Sequence, residues 1–188
     1  RISEMAYSYE LKLTRDAFNL QSSTVGEFTD AENADFRCRI VLSDEMVLNL
    51  GMRELACEAS DNPAETPHSI YVTQMTLLRL QKGTPEDLFP LYHELGHIHH
   101  GHSGRYSSQA ELESARAAAV RRGEALDTEL EADSFAAAIL GRDAAVTALR
   151  AMWLARLDYN RRINNAGTPN GILENREYRN RIKAAEAL

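Results

Sequence analysis

The stretch that most limits what this chain can become is HELGHIHHGH, His93 to His102, which holds five of the six histidines in ten residues. His93 and His97 are four apart, so on a helix their imidazoles leave one face, one turn apart. Both then reach a single ion at about 2.0–2.1 Å. Glu94, one residue on from His93, is rotated beside such an ion, where a carboxylate takes a proton from metal-bound water. The arrangement is His-Glu-x-x-His, whose chemistry is zinc-activated water with the Glu as general base. The competing reading is a polar tract that chelates metal adventitiously. His99, His100 and His102 fit the helical spacing poorly and read as surface or supporting histidines.

A catalytic zinc usually has three protein ligands and one position open to water. No histidine follows His102, so the downstream candidates are acidic. In "ELEAD", Glu129 and Asp133 are four apart on a segment that is otherwise small and apolar. One of these carboxylates can bind the ion while the other accepts a hydrogen bond from a ligand imidazole, the support that metal-bound histidines normally have. Glu131 points elsewhere and, with Thr128, is spaced as a capping box.

The segments around these motifs set the expected fold. "EFTDAENAD", Glu27 to Asp35, is polar and reads as a loop. "FRCRIVL" alternates, with Phe36, Cys38, Ile40 and Leu42 on one face and Arg37 and Arg39 on the other, the pattern of a half-buried strand. Ser43 opens a predicted helix through "MVLNLGMRELACEA", and "SIYVT", Ser69 to Thr73, reads as a second strand. A short helix over "QMTLLRLQKG" stops at Gly83. Thr84 and Pro85 then cap the helix that carries the histidines, although Pro90 would start it later or kink it. Further helices are expected over "SSQAELESARAAAVRRG", over "TELEADSFAAAILG" ending at Gly141, over "RDAAVTALRAMWLARLDYNRRI" and over "NREYRNRIKAAEAL", with a turn at Asn164 to Gly171. The sum is a mostly helical α+β domain with a small sheet in its N-terminal half.

At 188 residues the chain suits a single domain, taken as 1–35 (an N-terminal segment), 36–141 (the core) and 142–188 (C-terminal helices). Residues 1–35 read as a helix and loop covering the core, or as a segment that holds the site inactive. A net charge of −7 argues against a nucleic-acid partner, because phosphate binding needs a clustered basic surface. No apolar run approaches the roughly 20 residues of a membrane span, so a soluble protein is expected. Two cysteines, Cys38 and Cys57, make no disulfide framework and fit a reducing compartment. The expected location is cytoplasmic, or exported if a leader precedes Arg1.

"HELGH" followed by "ExxAD", Glu129 to Asp133, resembles the gluzincin metallopeptidases, and within them the soluble HtpX-like and minigluzincin proteins and the ImmA/IrrE group. The similarity covers roughly Ile70 to Leu140 and includes the strand, the short helix, the active-site helix and His102, five residues after His97. It implies a zincin-like fold with a small sheet beside the active-site helix. It also implies His93, His97 and Glu129 as ligands of one Zn2+, Glu94 as catalytic base and Asp133 as an orienting residue. The implied activity is cleavage of internal peptide bonds, with a peptide or protein substrate lying beside an edge strand near Ser69 to Thr73. A regulatory partner protein is a further implied associate. The gap from His97 to Glu129 is shorter than in the membrane-bound relatives. Many gluzincins also use a downstream His or Tyr at the oxyanion; this chain has no such His, which leaves Tyr159 and Tyr178. Two alternatives stand beside this: a metal-binding regulatory module without turnover, and another zinc amidase in which Cys57 completes the site.

Overall fold

The computed structural model describes residues 7–16, 23–43, 57–60 and 68–188. Among the described residues five strands come first: β1 (Tyr9–Leu13), β2 (Thr24–Asp30), β3 (Asn33–Leu42), β4 (Cys57–Ser60) and β5 (His68–Val72). Six helices follow among the described residues: α1 (Gln74–Leu80), α2 (Pro85–His99), α3 (Gln109–Arg121), α4 (Asp127–Leu140), α5 (Arg142–Arg162) and α6 (Pro169–Glu186). The fold is α+β, as the periodicities predict.

The sheet runs in the order β1-β2-β3-β5-β4, antiparallel except for the parallel pair β3 and β5, where Ile40 lies beside Ile70 and Leu42 beside Val72. The alternation in β3 emerges as predicted: Cys38 and Ile40 are buried, while Arg37 and Arg39 are exposed. Those side chains join Phe28, Ile70 and Val72 in one core with Phe89 and Leu95 of α2, Phe135 and Ala136 of α4 and Leu149 of α5. The histidine helix α2 sits centrally, touching α1, α4, α5, β4 and β5.

Several expectations are corrected. Glu27 to Asp35 is not a loop but the end of strand β2 and the start of β3, joined by a two-residue turn at Ala31 and Glu32, with Asp30 Oδ1 accepting from the Glu32 N–H at 3.0 Å. One fully buried residue, Phe28, anchors that strand, and pairing on both sides satisfies its backbone despite the polar sequence. The described part of residues 1–35 therefore supplies β1 and β2 of the same sheet rather than a helix and loop. The helix expected over Met46 to Ala59 lies largely outside the described residues, and its end, from Cys57, is strand β4, where pairing to β5 outweighs local helix propensity. The strand expected at Ser69 to Thr73 forms as His68–Val72 but is internal; among the described strands β1 and β4 are the edges, and β4 lies against α2.

Helix punctuation is mostly as read. Thr84 caps α2 and Pro85 opens it, but Pro90 does not delay the helix, which passes through it unbroken. Gly83 and Gly141 end α1 and α4 with positive φ. The last helix starts earlier than expected, at Pro169, because Thr168 and Pro169 repeat the cap and first-turn proline seen at Thr84 and Pro85.

Candidate metal centre

The centre lies where α2 crosses α4. α2 is buried along Phe89, Tyr92, His93, Leu95 and Gly96, so its histidine face is turned into the protein. Gly96, between the two histidines, makes the crossing close: a Cβ there would lie 3.1 Å from both Ala132 Cα and Phe135 Cδ1. α4 begins at Asp127, whose Oδ1 accepts from the Thr128 N–H, and Leu126 at its N-cap offers no side-chain cap. The capping box expected from Thr128 and Glu131 is therefore absent. Glu129 falls in the first turn, where the helix dipole favours a carboxylate.

Three donor groups converge. His93 Nε2 and His97 Nε2 are 3.1 Å apart, Glu129 Oε2 is 3.2 Å from the first and Glu129 Oε1 is 3.6 Å from the second. A tetrahedral ion at about 2.0–2.1 Å from each donor would hold them about 3.3 Å apart, so the group fits a zinc-sized cation. His93, His97 and Glu129 can thus hold a metal ion. The His93 side chain is only 6% exposed, against 18% for both His97 and Glu129, so solvent reaches the group from their side.

A second layer orients these donors. His93 Nδ1 is 2.8 Å from Asp133 Oδ1, which leaves Nε2 for the ion when Nδ1 carries the proton. Asp133 in turn accepts from Arg181 of α6 through two bonds of 2.8 Å, from Nε and Nη2, while Arg181 Nη1 lies 3.5 Å from Glu129 Oε2. On the other side, His97 Nδ1 is 2.7 Å from His102 Nδ1, and His102 Nε2 is 2.8 Å from Glu131 Oε2.

The electrostatics match an enclosure built around one positive charge. Burial opposes a charge on His93, but hydrogen bonds to Asp133 and Glu129 outweigh it and raise its pKa to about 10. Burial, then the neighbouring His93, lowers His97 to about 4. Burial would also raise Glu129 and Asp133, yet Arg181 and the imidazoles hold both carboxyls below their ordinary values.

The structure brings together His93, His97 and Glu129, the three residues expected as ligands, and hydrogen-bonds Asp133 to His93. Glu94 follows His93 on α2 and is half-buried. Tyr178 borders the centre, with the Arg181 guanidinium 5.1 Å from its ring centroid and its hydroxyl pKa raised by burial. Tyr159 instead packs under Arg156 of its own helix, at 5.6 Å. His99 and His100 are exposed, and His99 Nδ1 meets the Tyr9 hydroxyl at 2.7 Å. The sequence reading missed Arg181. A signal existed, because Glu177, Arg181 and Ala185 recur every four residues on the buried face of α6, and charges on such a face need partners. Against family models, curated proteins and solved structures, the chain matches none. Among the described residues, no helix is long and apolar enough to cross a membrane.

Proposed function

We propose that this protein is a gluzincin-like, zinc-dependent endopeptidase that hydrolyses internal peptide bonds. His93, His97 and Glu129 would be the zinc ligands and Glu94 the base. The observation that carries this reading is the convergence of three donor atoms at ion-binding separations, with the site open on the His97 and Glu129 side. Zinc, when bound there, supplies a Lewis acid that polarises a carbonyl and makes water a nucleophile near neutral pH.

The chain's own residues do the rest. Glu94 takes a proton from the attacking water and returns it to the departing amine nitrogen, so the base is regenerated each turnover. Asp133 and Arg181 keep His93 and Glu129 aligned. Tyr178, beside the centre, is the better placed of the two tyrosines to donate to the developing oxyanion. The edge strand β4, alongside α2, offers backbone groups to an extended peptide, a β-addition mode.

The test compares parent, Glu129→Ala and Glu94→Gln by plasma mass spectrometry and by cleavage of a quenched fluorescent peptide library. About one zinc per chain in the parent, lost in Glu129→Ala, is expected. Glu94→Gln should keep the metal and cleave nothing. Zinc retention in Glu129→Ala would remove the site's foundation, and cleavage by Glu94→Gln at the parent rate would remove its base. A parent that holds zinc but cuts no peptide would instead be a metal-binding module without turnover.

A further inference from the structure

The two ligand histidines are supported differently: His93 by a carboxylate, His97 by another imidazole. We infer that His102, itself anchored by Glu131, is the positioning residue that fixes His97 in its Nδ1–H tautomer and so keeps the Nε2 lone pair turned to the metal site. This rests on the metal-site reading above.

The proton assignment follows from donor and acceptor counting. Glu131 Oε2 lies 2.8 Å from His102 Nε2, and an ionised carboxylate only accepts, so Nε2 carries the hydrogen. Taken with this one N–H, His102 offers its Nδ1 as an acceptor. His97 Nδ1, 2.7 Å away, must then donate, and its Nε2 is bare, facing His93 Nε2 and Glu129. Glu131 is itself tethered, since its Oε1 accepts from Arg105 Nη1 at 3.0 Å.

The backbone explains how His102 returns to a residue five positions earlier. Gly101, with φ of +61°, ends α2 in the left-handed region; its N–H bonds Ile98 O at 3.1 Å, and the His102 N–H bonds His97 O at 3.0 Å. That is the Schellman pattern, and it folds His102 back over the turn that carries His97. An imidazole in this place also has an electrostatic logic. Asp133 and Glu129 already put two carboxylates at the centre, and a third beside His97 would add like charge in a buried space. An imidazole here links His97 to Glu131, whose side chain is 40% exposed, and leaves that carboxylate outside.

The experiment measures imidazole tautomers by long-range 1H–15N NMR in the metal-free protein and zinc affinity by chelator competition. It compares the parent with His102→Phe, His102→Asn and Glu131→Ala. In the parent, His97 is expected with Nδ1 protonated and Nε2 bare. His102→Phe should lose this preference and bind zinc about 10–100-fold more weakly. His102→Asn, whose Oδ1 can accept where Nδ1 did, should recover much of both. Glu131→Ala, a change at the surface, should shift the His97 tautomer even if the Phe variant does not fold. An Nε2–H tautomer on His97 in the parent would overturn the inference. So would tautomer and affinity unchanged in Glu131→Ala and in a folded His102→Phe. A parent with the expected tautomer that binds no zinc would remove the metal reading while leaving the His102–His97 assignment standing.

Discussion

At the scale of single residues, Arg181 carries the largest expected penalty. It is 5% exposed, bonds Asp133 twice and lies within ion-pair distance of Glu129. A buried ion pair adds little net stability, because desolvation offsets attraction, but removing one partner leaves the other charge stranded. Arg181→Met is therefore expected to cost about 3–5 kcal/mol in urea unfolding of the metal-free protein. Arg181→Lys should recover little, since an ammonium lacks the planar fork that meets both Asp133 oxygens. A loss under about 1 kcal/mol for the Met variant would show that water or another cation reaches Asp133 as readily as Arg181 does.

At the scale of elements, the α2–α4 crossing decides whether His93, His97 and Glu129 meet. Gly96 allows it, with Ala132 Cα and Phe135 Cδ1 only 3.1 Å from where a Cβ would stand. Gly96→Ala gains helix propensity of about 1 kcal/mol but overpacks the crossing by about 1–3 kcal/mol. The expected result is a net loss on the order of 1 kcal/mol together with weaker zinc binding, as the helices part. Unchanged zinc affinity in a chelator titration would mean that the crossing absorbs the methyl elsewhere. The helices themselves were legible from sequence because their caps are local: Thr84 with Pro85, and Gly83 and Gly141 with positive φ. Strands β2 and β4 were not, because a polar hairpin and a four-residue edge strand owe their conformation to the neighbours they pair with.

At the scale of the whole molecule, the centre should set a pH optimum for the metal-free fold. His93 is raised from 6.5 to about 10, so its contribution is complete below 6.5 and is lost as the pH rises towards 10. His97 is lowered from 6.5 to about 4, so its contribution is complete above 6.5 and is lost as the pH falls towards 4. Glu129 and Asp133, held below 4.5 and 3.8, withdraw theirs at still lower pH. Thermal unfolding of the metal-free protein is expected to peak near pH 6.5 and fall on both sides. Saturating zinc should raise Tm and flatten the alkaline side, since the ion takes the place of the His93 proton; at 100 times Kd the gain is about 2.7 kcal/mol. A metal-free Tm that climbs steadily from pH 6.5 to 9 would contradict this balance.

The sequence by itself determined the α+β class, most helix boundaries and the two pairs His93 with His97 and Glu129 with Asp133, because strand alternation, helix caps and four-residue spacings along one helix are all local signals. It could not determine what meets those helices from elsewhere in the chain. Arg181 comes from 48 residues beyond Asp133, and His102 is tied to Glu131 across 29. Only the folded chain brings them together, since contacts over such separations are set by packing and charge pairing in the interior rather than by local backbone preference.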